Sequence, residues 1–234
     1  MNHQNKSLTQ PYTLLKNVVV NNYNNIYNPF RQNRQIILYH NIINLNDIKK
    51  IDSILYMEYS ITQMDAKSLS VAPTSSNLHR LNDKWTLWAH LPHDIDWTVK
   101  SYKKISTFDS VESTITLCET IPDKMINNCM LFLMRDGILP MWEDPKNKNG
   151  GCFSYKVNNK NVASVWKNLS YTLVGECLTT DKRLRPNITG ITISPKKNFC
   201  IIKIWLMNRD FQNPTAISEI EGIVPQGCIF KKHI

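Results

Sequence analysis

Six tryptophans, Trp85, Trp88, Trp97, Trp142, Trp166 and Trp205, are the residues best equipped to hold a flat ligand. An indole carries a large apolar area, so the core is its ordinary place. Trp85 and Trp166 lie inside periodic apolar runs and read as core. Trp97 follows His93-Asp-Ile-Asp, and Trp142 precedes Glu-Asp-Pro-Lys-Asn-Lys-Asn-Gly-Gly, both polar and turn-rich settings. Two tryptophans at the rim of a sheet are poor core candidates and good platforms for stacking a base. A second grouping, His90-Leu-Pro-His93-Asp-Ile-Asp96, has metal-ligand residue types. Its spacing matches no established site and Pro92 favours an open loop, so a solvated loop without metal is expected. No nucleophile–base pair, phosphate-binding glycine loop or paired carboxylates stand out, so neither catalysis nor a cofactor is expected.

The elements that must position these residues follow from periodicity. Lys84–His90 alternates, with Trp85, Leu87 and Ala89 on one face and Trp88 on the other, as a strand does. Asp109-Ser-Val-Glu112 resembles a capping box opening a helix of about three turns toward Thr120. Cys129–Arg135 and Gly151–Val157 read as strands, the first ending at the Asp136-Gly137 turn. Val162–Glu176 has helical spacing through Val165, Trp166, Leu169 and Leu173. Ile188–Ser194 and Phe199–Met207 read as a hairpin joined at Pro195–Asn198. A short helix near Ala216–Glu221 and a last strand, Cys228–Lys231, complete the pattern. Strands joined by hairpins with a few inserted helices imply an α+β domain built on an antiparallel sheet.

Residues 1–75 read as an Asn-rich extension, irregular at first, with a helix expected at about 46–60 and a linker at 72–77. Residues 76–234 form the domain. The chain has 234 residues and a net charge of +9, which favours a polyanionic partner such as nucleic acid. No run approaches the ~20 apolar residues of a membrane span, and no secretory signal is evident. The six cysteines are widely spread without a CxxC pair, as reduced cytosolic thiols would be. Abundant Asn, Ile and Lys suggest an AT-rich genome, compatible with a protist or a large DNA virus.

The run Arg135-Asp-Gly-Ile-Leu-Pro-Met-Trp-Glu-Asp-Pro-Lys-Asn-Lys-Asn-Gly-Gly151 resembles the signature of the cap-binding translation initiation factor 4E family. Lys84-Trp-Thr-Leu-Trp88, Ile105-Ser-Thr-Phe-Asp-Ser-Val-Glu112, Val174-Gly-Glu176 and Ile202-Lys-Ile-Trp205 match the family in order and spacing, so the resemblance spans residues 79–234. It implies a curved antiparallel sheet with about three helices on the convex face and the site in the concave face. It implies binding of the 7-methylguanosine cap of mRNA for cytoplasmic translation initiation, without catalysis; the alternative is a cap-sequestering repressor or scaffold. By the resemblance, Trp97 and Trp142 sandwich the base, Glu143 reads its edge and Trp205 contacts the N7-methyl group.

The physics agrees. N7-methylated guanine is cationic, and aromatic faces carry negative potential. Stacking contributes roughly 1–3 kcal/mol per base, and a desolvated cation–π contact about 2 kcal/mol. A carboxylate accepts from the guanine N1–H and N2–H together, a donor pair adenine lacks.

Three departures stand out. The family's two phosphate-binding basic positions fall on Lys196 and Ile201. Strand alternation offers Lys203 on the face of Trp205 as a substitute, with Lys197 in reserve. A third, peripheral arginine position is Cys152. On the convex face, where the family receives a partner helix, Val111 and Gly175 are retained, but the usual tryptophan is Ile115 and a leucine–glutamate–leucine set is Lys167, Asn168 and Tyr171. A 4G-like scaffold partner with a divergent interface and a monomeric chain are expected. The family's loop after the last strand has no evident counterpart beyond Lys232-His-Ile234; segment 36–64 is a candidate for contacting the next nucleotide, and packing on the outside of the domain is the alternative favoured over it.

Overall fold

The computed structural model describes residues 78–92 and 94–233. The extension 1–75, its helix at 46–60, the linker 72–77, the segment 36–64 and His93 lie outside the described residues. Seven strands are β1 (Arg80–His90), β2 (Tyr102–Ser110), β3 (Met130–Arg135), β4 (Gly151–Asn158), β5 (Ile188–Pro195), β6 (Phe199–Leu206) and β7 (Ile229–Lys232). Three α-helices are α1 (Val111–Thr120), α2 (Asp123–Asn128) and α3 (Val162–Val174). The strands form one curved antiparallel sheet in the order β2-β1-β3-β5-β6-β4-β7. This is the α+β architecture expected from the sequence.

Alternation along each strand divides the sheet into two faces. Trp85, Leu87 and Ala89 of β1, Leu131 and Leu133 of β3, Ile191 and Ile193 of β5, Ile202 and Ile204 of β6 and Phe153 of β4 join one buried cluster. Helix α3 supplies Val162, Val165, Trp166, Leu169 and Leu173 to it, and each such side chain stabilises the fold by about 1.5–3 kcal/mol. The opposite face carries a smaller cluster of Phe132, Met134, Ile138 and Trp205, with Trp88 and Tyr102 packed against it. The helices therefore cover one face and leave the other for a ligand.

Several elements differ from the sequence reading. Strand β2 went unforeseen because its buried apolar residues, Ile105 and Phe108, are three apart. The register explains this: Leu87 pairs with Ser106 and Trp88 with Lys104, so Ile105 is an extra, bulged residue. Helix α2 is too short for a periodic signal. The helix expected at 216–221 is instead a 3-10 turn, Pro214–Ala216, followed by an isolated bridge between Ile220 and Ile223. The N-cap of α1 is Ser110, whose hydroxyl accepts from the Ser113 N–H at 3.2 Å. Asp109 pairs with Arg80 instead, and Glu112 turns outward to accept from the His79 N–H at 3.1 Å.

Candidate functional site

The open face is mapped by register. Gly190, Trp205, Cys152 and Lys231 align across β5, β6, β4 and β7. One step along, Thr192, Lys203, Ser154 and Ile229 align in the same way. Trp205 is only 6% exposed. Its indole N–H donates to Thr192 Oγ1 at 2.8 Å, and its ring centroid lies 4.8 Å from that of His233. The sheet thus supplies a firm floor, and two loops rise from it.

The first loop joins β1 to the turn at Val99 and carries Trp97, which is 53% exposed. Aspartates clip the backbone: Asp94 accepts from the Asp96 N–H at 2.9 Å, and Asp96 from the Thr98 N–H at 2.8 Å and the Thr98 hydroxyl at 3.0 Å. These bonds to Thr98 hold the Asp96 carboxyl below the usual range. Trp97 lies flat on His90, with centroids 4.1 Å apart and planes 6° from parallel. His90 Nε2 bonds the Asp96 carbonyl at 2.8 Å, and its ring meets the edge of Tyr102. His90 is therefore engaged beneath an indole, and Asp94 and Asp96 clip the backbone that carries it.

The second loop runs from Gly137 to Gly150 and carries Trp142, 44% exposed, and the exposed Glu143. Two buried residues fold it from beneath. Asp144 accepts from the backbone N–H groups of Leu139 and Lys146 at 2.9 and 2.8 Å. Asn147 donates to the carbonyls of Leu139 and Met141 at 3.1 and 2.8 Å, and its oxygen accepts from the Thr189 hydroxyl at 2.8 Å. His233 Nδ1 donates to the Asn147 carbonyl at 2.8 Å, and the His233 N–H to the Gly150 carbonyl at 3.0 Å. Gly150 must be glycine, since a Cβ would sit 1.7 Å from the Leu206 carbonyl oxygen. Asp144, Asn147, Thr189 and His233 were not singled out from sequence. Asp144 and Asn147 lie within the signature run, but their inward orientation becomes visible only once the loop is folded.

The two loops meet electrostatically at Tyr102. Burial pushes its phenol up to about 12, and the Glu143 charge adds to the shift. Tyr102 also touches His90, the support of Trp97. Glu143 and both exposed indoles therefore belong to one end of the open face. The candidate cations lie farther along. Lys203 points from β6 onto this face, beside Cys152 and His233. Lys196 and Lys197 are exposed in the β5–β6 turn, where the Lys196 N–H donates to the Phe199 carbonyl at 2.8 Å. Ile201 shares the Lys203 face and carries no charge.

On the convex side, α1 and α3 bring the six dorsal residues into one region. Tyr171 and Cys118 are buried, with Val111 and Ile115 packed on them. Glu119 ties the helices together, accepting from Lys167 Nζ and the Tyr171 hydroxyl, both at 2.9 Å. The Gly175 N–H donates to the Tyr171 carbonyl at 3.0 Å and ends α3, while Asn168 stays half-buried one turn earlier. All six cysteines are free thiols.

The family model for eukaryotic initiation factor 4E matches residues 80–227. Eukaryotic translation initiation factor 4E-2 of Schizosaccharomyces pombe is 30% identical over 139 residues, covering 56% of this chain and 54% of that protein. The eukaryotic translation initiation factor 4E homolog of Acanthamoeba polyphaga mimivirus is 44% identical over 85 residues, covering 36% of this chain and 28% of that protein. The chain thus spans about half of the yeast relative and less of the viral one. Among solved structures, Schistosome eIF4E complexed with m7GpppG and 4E-BP is similar with a TM-score of 0.52 at 26% identity, over 58% of this chain and 75% of that one.

Proposed function

The chain belongs to the eukaryotic initiation factor 4E family, and from that premise we propose that its open face binds the 7-methylguanosine cap of mRNA and brings capped transcripts to translation initiation. The observation that carries this reading is the pair of half-exposed indoles, Trp97 and Trp142, on loops fixed from beneath beside a free carboxylate, Glu143. Large aromatic rings grouped in the open at one end of a sheet face mark a place for a ligand to stack. The cationic base slides between the indoles, where stacking and the electrostatic pull of two negative faces act together. Glu143 accepts from N1–H and N2–H, and its own backbone N–H meets O6, which selects guanine. Trp205 edges the floor where the N7-methyl group rests.

The chain works by binding, without turnover, in the cytoplasm where capped transcripts are translated. Its convex face, from Val111 and Ile115 on α1 to Lys167, Asn168 and Tyr171 on α3 and Gly175 behind it, receives a scaffold protein whose docking motif differs from the family's Tyr-x-x-x-x-Leu-apolar form. The Glu119 tie to Lys167 and Tyr171 supports that divergence, because it occupies polar groups a docking helix would otherwise meet.

The test is retention on immobilised 7-methylguanosine triphosphate. Wild type is expected to be retained and eluted by free methylated nucleotide, and Trp142→Ala and Glu143→Ala to pass through. Equal retention of all three overturns the reading.

A further inference from the structure

Cys152 and Ser154 form a strip of small, buried side chains on the open face of β4. On one flank Lys203 of β6 is aligned with Ser154. On the other, Lys231 of β7 is aligned with Cys152. Adjacent strands lie about 4.8 Å apart, so the two lysine backbones stand two strand spacings from each other across a low floor. By register both lysine side chains stand on the same face of the sheet as that floor, one on each flank.

Among the described residues, neither lysine has a carboxylate partner. The ion pairs among the described residues use His79, Arg80, Arg135, Lys167 and Arg183, all on other surfaces. Both lysine charges act on the Cys152 thiol between them, opposing the upward push of burial. Lys203 also acts on His233, which leans on Trp205. Two cations thus flank one place, Cys152, in the row that holds Trp205. Lys232, the next residue on β7, projects to the other side of the strand. Lys196 and Lys197 lie beyond the end of β5, farther along the strands from Trp205 than either.

We propose that Lys231, with Lys203, forms a two-walled gutter that takes the phosphates of the cap's 5′–5′ bridge, so that this edge strand supplies part of the affinity for the triphosphate. The proposal rests on the cap reading for the identity of the base. Its own chemistry is that of a phosphate chain neutralised by two point charges, one from each side. The first internucleotide phosphate of the transcript is the other source of the same chemistry, and it is distinguished by ligand length.

The experiment is tryptophan quenching by 7-methylguanosine and its 5′-mono-, di- and triphosphates, by unmethylated GTP, and by a capped dinucleotide. The proteins are wild type, Lys231→Ala, Lys231→Arg, Lys203→Ala and Lys232→Ala, with melting curves to establish equal folding. Wild-type affinity is expected to rise with each added phosphate. Lys231→Ala is expected to lose triphosphate affinity by about three- to tenfold, to bind the nucleoside like wild type, and to respond less to salt. Lys231→Arg retains the affinity, and Lys232→Ala stays within about twofold of wild type. If Lys231→Ala binds the triphosphate like wild type, loses no more than Lys232→Ala, or fails only with the dinucleotide, the bridge assignment is overturned. A wild type indifferent to N7-methylation breaks the base reading instead, and the phosphate series then decides Lys231 on its own.

Discussion

The two loops that carry the exposed indoles are built on different principles. The Trp97 loop is clipped locally, by Asp94 and Asp96 bonding backbone N–H groups two residues on. Its indole rests on one ring, His90. The Trp142 loop is anchored over long distances, with Asn147 reaching Thr189 of β5 and His233 near the last strand. One wall of the site therefore inherits the rigidity of the core, while the other depends on a short clip and a stack. In physical terms the Trp142 wall is tied to the sheet by more and longer-range bonds than the Trp97 wall, so the Trp97 wall is expected to be the more easily perturbed.

The largest effect is expected from Asn147→Ala. It strips two donors from the half-buried Leu139 and Met141 carbonyls and the acceptor from the fully buried Thr189 hydroxyl. Each buried polar group left unpaired costs about 1–3 kcal/mol, so a stability loss of roughly 3 kcal/mol or more is expected in urea unfolding. Cap binding should fall with it, because Trp142 and Glu143 lose their support. Wild-type stability and binding in this variant would break the contrast between the loops.

A smaller effect, confined to binding and the Trp97 signal, is expected at His90. The stack contributes on the order of 0.5–1.5 kcal/mol, so His90→Ala should weaken cap affinity by about two- to tenfold through looser positioning of Trp97. His90→Phe should restore most of it. Equal losses in both variants would mean that the Nε2 bond to the Asp96 carbonyl, and not the ring face, holds the wall.

These supports also mark the limit of what the sequence discloses. Trp97 and Trp142 stand out because large apolar residues in polar, turn-rich stretches contradict their surroundings. The core strands stand out for the same kind of reason, a period of two in apolar residues. Strand β2 does not, because the bulge at Ile105 breaks its period. Asp144 and Asn147 look like ordinary turn residues until the loop folds over them. His233 bonds Asn147 across 86 positions of sequence, a pairing no local pattern encodes. Lys231 escapes notice for the converse reason: a lysine on an edge strand is unexceptional until the register sets it beside Cys152 and opposite Lys203.

The smallest expected effect separates the loops by acid. Burial lowers the His233 imidazole below its ordinary 6.5, while it donates from Nδ1 to the Asn147 carbonyl. Above 6.5 the imidazole is neutral whether the chain is folded or unfolded, and its contribution is complete. As the pH falls below 6.5 the unfolded chain binds the proton first, so stability declines until the lowered folded value is passed. Asp96 carries the opposite charge and lies lower. Its carboxyl is held below 3.8, so the Trp97 clip is complete above 3.8 and is lost only as the pH falls through that lowered value. Mild acid is therefore expected to loosen the Trp142 side first. Amide exchange of loop residues 137–150 between pH 7 and pH 5, compared with residues 94–98, reads the difference. His233→Gln, which keeps a donor for the Asn147 carbonyl but does not titrate, should remove the acid response of residues 137–150 and leave that of residues 94–98 as it was. An unchanged response in that variant would assign the acid sensitivity to another group and take from His233 its place as the anchor of the Trp142 wall.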